Sequence, residues 1–328
     1  MRRATFAKLA WGALGYNLLV IAWGAYVRAS GSGAGCGAHW PLCNGEVVPR
    51  APALKTLVEL SHRLSSGLVL VIAVAMVVFA FRTFPRGSEV RRGSVAVLGF
   101  TITEALVGAG LVLFELVAHD TSMKRALSMS LHLINTFFLL GALTLTARAA
   151  SRQREASDLA TAEPPEEPAA VPAFLRALLV VSAAALMLVA MSGGIAALGD
   201  TLFPATSFMN GLRQELSTGA HLLLRLRVLH PLFAVVTAAL VVGTSTVARA
   251  VRPTPAVTRL SRVVAVIVTG QLGLGVLNVG LLAPIWLQLV HLFAADVLFV
   301  AFVLLWAETR GVGYERSTTR FRPPRFAS

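Results

Sequence analysis

The sequence predicts an all-α integral membrane protein, with eight transmembrane helices arranged as two pseudo-symmetric four-helix bundles, a parallel internal repeat. Three observations carry this. Hydrophobic residues make up 56% of the 328 and charged residues only 14%, with a mean hydropathy of +0.72; a soluble chain of this length carries far more charge. Eight apolar stretches each approach the about 20 residues that a helix needs to cross the hydrocarbon core. Four histidines, His62, His132, His230 and His291, lie near the starts of the second, fourth, sixth and eighth of those stretches.

The spans are expected near 9–28, 58–81, 95–117, 127–147, 173–197, 222–246, 262–283 and 286–307. The first follows Met1-Arg2-Arg3, as a secretory signal would, but its apolar run is long for a signal core and the repeat pairs it with the fifth. That repeat matches Trp23-Gly24-Ala25 to Ser192-Gly193-Gly194, and Glu104-Ala105-Leu106-Val107-Gly108 to Gln271-Leu272-Gly273-Leu274-Gly275. Four spans per unit give both units the same orientation, related by an axis along the membrane normal. Gly108, Gly110, Gly273 and Gly275 allow close helix approach. Between the halves, Arg148 to Pro172 contains Glu163-Pro164-Pro165-Glu166-Glu167-Pro168 and reads as an unstructured linker. The expected organisation is a first half over 1–150, a cytoplasmic linker over 151–172, a second half over 173–310 and a basic cytoplasmic tail over 311–328.

Charge orients the bundle. With both termini in the cytoplasm, 20 of the 29 Lys and Arg residues fall on the inside, as the positive-inside rule requires. Basic loops against anionic lipid also account for the +13 net charge without any nucleic-acid partner. Even-numbered spans then all run inward from the outer face, which sets the four imidazoles at one depth near that face.

A lone intramembrane histidine is commonly bonded to a neighbouring carbonyl; four at equivalent positions point to function, because burying imidazole in lipid is costly. Haem iron takes axial imidazole, and a bundle core can hold the macrocycle between facing helices. Zinc prefers a tighter ligand set that usually includes Cys or carboxylate. His39, His119 and His221 fall in outer loops or at a helix edge and read as surface or supporting residues. The halves differ chemically. Glu59 lies three residues before His62, on the same helix face, whereas Arg227 occupies that place before His230. Glu59 is thus a candidate acid/base group; the competing reading is an interfacial ion pair with Arg63 or Lys55. Arg225 and Arg227 sit about one turn, roughly 5.4 Å, above His230. That height suits forked contacts to haem propionates as well as snorkelling. The loop after span 1 holds both cysteines, Cys36 and Cys43. It faces the oxidising side, where a disulfide persists, and lid, redox and reduced states all remain open there.

At Gly31-Ser32-Gly33, the Cys36 to Trp40-Pro41-Leu42-Cys43 loop, Glu59-Leu60-Ser61-His62-Arg63 and the three later histidines, the chain resembles the haem A synthase family over all eight spans. That resemblance implies oxidation of the carbon-8 methyl of haem O to a formyl group by two hydroxylations, through a geminal diol that loses water. It implies that His62 and His132 flank the substrate haem, that His230 and His291 ligate a resident haem B, and that Glu59 is the essential carboxylate. Cys36 and Cys43 match the family's outer cysteine pair; the second pair of some bacterial members has no counterpart in Gly199 to Ala220. Implied partners are haem O, a haem O synthase, terminal oxidase assembly factors and the lipid bilayer, in a multi-pass plasma-membrane protein. Three other readings compete. A di-haem electron carrier leaves Glu59 unexplained. A transporter would show broken helices and mid-membrane charge. A haem-farnesylating enzyme needs paired aspartates, while Asp120, Asp158, Asp200 and Asp296 stand apart.

Overall fold

The computed structural model describes residues 3–158 and 170–311, so most of the expected linker and the basic tail beyond Gly311 lie outside the described residues. Within them the regular structure is helical: α1 (Arg3–Ala29), α2 (Leu54–Thr83), α3 (Glu89–Leu113), α4 (Met123–Asp158), α5 (Ala173–Leu202), α6 (Phe208–Leu216), α7 (Leu222–Arg227), α8 (Leu229–Val251), α9 (Pro255–Gly280) and α10 (Ile285–Arg310). Taking α7 and α8 together, eight helices are long and apolar enough to cross a membrane. The predicted all-α class with eight membrane-spanning helices therefore holds.

Local chemistry sets the ends. Ser88 accepts the Arg91 N–H at 3.3 Å to start α3, and Thr254 accepts the Val257 N–H at 3.2 Å to start α9, with Pro255 at its first position. Gly311, in the left-handed region at φ 50°, closes α10. Three elements differ from the sequence expectation. The sixth span is broken after Arg227, because Pro231 has no N–H to return to the Arg227 carbonyl and its ring crowds that carbonyl. A nine-residue helix, α6, lies in the connection before it. Helix α4 runs eleven residues beyond its expected end at 147, so the linker begins later than Arg148. Ion pairs hold that extension: Arg148 Nε lies 2.5 Å and Arg152 Nη2 3.2 Å from Glu308 Oε1 of α10.

In the first half α1 packs on α2 and α4, and α3 on α2 and α4; in the second, α8 packs on α5 and α9, and α9 on α10. Helices α4 and α10 meet between the halves, where the Phe137 and Phe299 rings lie edge to face at 4.7 Å. Arg28 also bridges the halves, donating from α1 to Ala197 O at 2.9 Å, Thr201 Oγ1 at 3.0 Å and Gln288 Oε1 at 3.0 Å. The continuous apolar core gathers at one end of the bundle. It takes Phe6 and Ala10 from the start of α1, Met76 from the end of α2, Leu143 from α4, Leu179 from the start of α5 and Phe302 from α10. The histidines lie towards the other end, above this packed floor.

Candidate functional site

Each histidine of the second half is set by a neighbouring helix. In α8, Pro231 immediately follows His230. The ring faces Gly193 of α5 so closely that a Cβ there would fall 2.9 Å from His230 Cε1. Ser192 Oγ lies 3.0 Å from His230 Nδ1, which leaves Nε2 free of that contact. His291 of α10 presents its ring to that of His230, with the two centroids 6.5 Å apart and the planes at 89°. Two metal–nitrogen bonds of about 2 Å each, with half a ring beyond each, span a gap of this size. A Cβ on Gly275 of α9 would stand 3.6 Å from His291 Cε1. Gln271, one turn earlier on α9, donates to the His291 backbone carbonyl at 2.9 Å.

The same contacts recur in the first half. A Cβ on Gly24 of α1 would meet His62 Cε1 at 2.8 Å, and one on Gly108 of α3 would lie 3.7 Å from His132 Cε1. All four imidazoles are half-buried. The Nδ1 atoms of His62, His132 and His291 are buried with no hydrogen-bond partner. Among the described residues no three His, Cys, Asp or Glu side chains converge as a metal cluster. The facing rings of His230 and His291, with His62 and His132 set beside glycines in the same register, suit a planar macrocycle with axial ligation better than a tetrahedral zinc centre.

Glu59 turns to the outer loop. It is 3% exposed; Oε2 accepts the Cys36 N–H at 2.8 Å, and Oε1 accepts Arg63 Nε at 3.1 Å and Nη2 at 2.5 Å. Arg63 Nη1 then donates to the carbonyls of His39 and Leu42, both at 2.7 Å. One carboxylate and one guanidinium thus stitch the loop to α2, and Cys36 and Cys43, fully buried, are joined as a disulfide. Gly35 permits the close approach, because a Cβ there would strike the Lys55 carbonyl; Thr56 Oγ1 donates to Gly35 O at 2.7 Å. The ion pair of Glu59 with Arg63 foreseen in the sequence is present.

The two arginines near His230 are engaged as well. Arg227 Nη1 lies 2.7 Å from Asp200 Oδ1 and Nε 2.6 Å from Glu215 Oε1, so it ties α6 and the end of α5 to the second-half outer face. Arg225 Nη2 donates to Thr218 O at 2.5 Å. His221 accepts the Leu223 N–H at 3.3 Å and opens α7, while His39 and His119 are exposed.

Sequence reasoning passed over one group. Glu104, noted there only as a marker of the repeat, directs its carboxylate at His132: Oε1 is 3.3 Å from Nδ1. Thr136 Oγ1 donates to Oε1 and Asn135 Nδ2 to Oε2, both at 2.5 Å. A carboxylate inside a predicted span was the available signal. Ser192, beside His230, carried none.

Sequence comparison bears on this geometry directly. Residues 7–303 match the family COX15-CtaA, described as cytochrome oxidase assembly protein. A Thermus thermophilus protein named protoheme IX farnesyltransferase is 45% identical over 306 residues, covering 91% of this chain but 47% of the relative. The chain therefore spans about half the length of that relative. The heme A synthase of Alkalihalophilus pseudofirmus is 43% identical over 97 residues, 30% of this chain and 33% of its own. That of Staphylococcus saprophyticus is 35% identical over 141 residues, 43% of this chain and 45% of its own.

Proposed function

The chain belongs to the COX15-CtaA family of cytochrome oxidase assembly proteins, and from that premise we propose that it is a haem A synthase, oxidising the carbon-8 methyl of haem O to a formyl group. The observation that supports this most is the matched placing of the four histidines beside glycines, with the rings of His230 and His291 facing each other, and with Glu104 against the ring of His132 and a disulfide-closed loop in the first half. In this reading the protein is a multi-pass plasma-membrane enzyme with both termini cytoplasmic, and its halves are pseudo-symmetric. His230 and His291 hold haem B, which supplies electron transfer when bound; His62 and His132 hold the substrate haem O.

The chain's own groups divide the remaining work. Ser192 fixes the ring of His230 through Nδ1. Arg225 and Arg227 are the propionate partners, each with guanidinium donors left after its bonds to Thr218 and to Asp200 and Glu215 respectively. The loop from Ser30 to Ala53 covers the outer end of the first half and excludes water from the reacting edge. Glu59 is the catalytic carboxylate, moving protons or stabilising a cationic carbon at the porphyrin edge. Both its oxygens are held in the closed arrangement, so its action is coupled to the loop that it anchors. Haem O arrives from a farnesylating enzyme, and the product passes to terminal oxidase assembly factors.

The name of the Thermus relative favours farnesyl transfer as a second reading. We assign that activity to the part of the relative that this chain does not match, since Asp120, Asp200 and Asp296 lie apart in sequence and on different segments here. One experiment separates the two. Membranes containing the chain and a haem O synthase are extracted and the haems weighed by mass spectrometry. Formyl haem is expected with the wild type and haem O alone with His62→Ala. Formation of haem O by this chain in the absence of the synthase would support farnesyl transfer instead.

A further inference from the structure

We propose that Glu104 is the positioning residue of the first-half site: its carboxylate receives Nδ1–H of His132, turns Nε2 towards the iron, and makes His132 a more electron-donating ligand than His291. This deepens the assignment of His62 and His132 as the substrate-haem ligands and rests on it.

The geometry carries the argument. Glu104 lies one turn before Gly108 on α3, as Gln271 lies one turn before Gly275 on α9, and the two glycines face His132 and His291 at 3.7 and 3.6 Å. The registers therefore correspond, but the chemistry does not. Glu104 Oε1 stands 3.3 Å from His132 Nδ1, within hydrogen-bond reach but not aligned for a bond, and a rotation of the ring would align the Nδ1–H with the carboxylate. The carboxylate is itself fixed by Thr136 and Asn135, and Asn135 is fixed in turn by donating to Phe100 O at 2.9 Å and accepting from Thr103 Oγ1 at 2.5 Å. In the second half the residues three and four after His291 are Ala294 and Ala295, which offer no such support. Gln271 instead gives its amide N–H to the backbone of His291, and its Oε1 has no partner.

An intramembrane carboxylate is costly to keep. A simple tether between α3 and α4 needs no charge: an amide at 104 would still accept from Thr136 through its one oxygen, though not from Asn135 as well. A carboxylate behind an axial histidine fixes the tautomer and raises the basicity of the ligand. An axial ligand of that kind favours the oxidised iron. On this account the two haem irons share ligand identity yet differ in potential, with the substrate iron the lower.

The test is Glu104→Gln with its mirror, Gln271→Glu, in the full chain purified in detergent and loaded with iron protoporphyrin IX. The first-half signal is the one lost from a His62→Ala, His132→Ala control. Glu104→Gln is expected to raise the midpoint potential of the first-half haem, weaken its retention about 10- to 100-fold and leave the second-half spectrum unchanged. That unchanged spectrum also certifies the fold. Gln271→Glu is expected to lower the potential of the second-half haem. Unchanged potentials in both variants, or equal shifts of both haems from Glu104→Gln alone, would overturn the proposal and leave Glu104 as a tether. Failure of wild-type His62 and His132 to take up haem is a different result: it would overturn the site assignment itself, and this proposal with it.

Discussion

At the scale of single residues, the glycines facing the histidines make graded predictions. A methyl at Gly24 or Gly193 must displace an imidazole, at 2.8 and 2.9 Å. Overpacking of this kind costs about 1–3 kcal/mol, or roughly 5- to 150-fold in haem retention if the strain falls on the bound ring. Gly24→Ala should weaken the first-half haem and Gly193→Ala the second-half haem, each leaving the other intact. Gly108→Ala and Gly275→Ala, at 3.7 and 3.6 Å, should stay within about twofold, since these are ordinary contact distances. Haem-to-protein ratios after dilution read all four. Glu59→Gln should keep the fold and haem B yet abolish formyl product, so that haem O or its hydroxylated form accumulates; a normal yield would reduce Glu59 to an anchor of the outer loop. The histidines were legible because four identical polar residues at matching places in apolar runs are costly and conspicuous. Glu104 was not, because its meaning comes from α3 lying against α4, a contact that no spacing within α3 announces.

At the scale of elements, the two outer connections are fastened differently. A disulfide closes the first, and Glu59 with Arg63 pins it down. Arg227 fastens the second by pairing with Asp200 and Glu215, where no cysteine is present. Arg227→Gln should therefore speed proteolytic nicking over 203–221 while leaving 30–53 resistant, and reductant should do the reverse. Equal rates in the variant and the wild type would show that the ion pairs do not hold this segment. The eight spans were readable from hydropathy because lipid demands continuous apolar helix. The extension of α4 was hidden, since its polar residues look like linker until Glu308 meets Arg148 and Arg152. The break at Arg227 was readable in principle from Pro231, whose missing N–H acts four residues upstream.

Across the whole molecule, the packed core and the four histidines lie at opposite ends. The packed core runs through Met76, Leu143 and Phe302 at one end, and the imidazoles occupy the other. Leu143→Ala or Phe302→Ala should lower stability by about 2–5 kcal/mol while leaving the spectra of the folded protein unchanged; a shifted haem spectrum at temperatures where the variant is folded would contradict this separation. The parallel arrangement of two halves is an expectation from weak sequence matches, and the contacts of Gly24 with His62 and of Gly193 with His230 are alike in the two halves. What sequence could not supply was the chemical difference between the sites, which lies in cross-helix partners. The central claim is that each half holds one haem between its two histidines. The most direct measurement is the number of haems per chain in protein isolated with haem O available, for the wild type, for His62→Ala with His132→Ala, and for His230→Ala with His291→Ala. The account predicts two for the wild type and one for each double variant, with haem B kept when the first pair is removed. One haem in the wild type, or an unchanged count in either double variant, would contradict it.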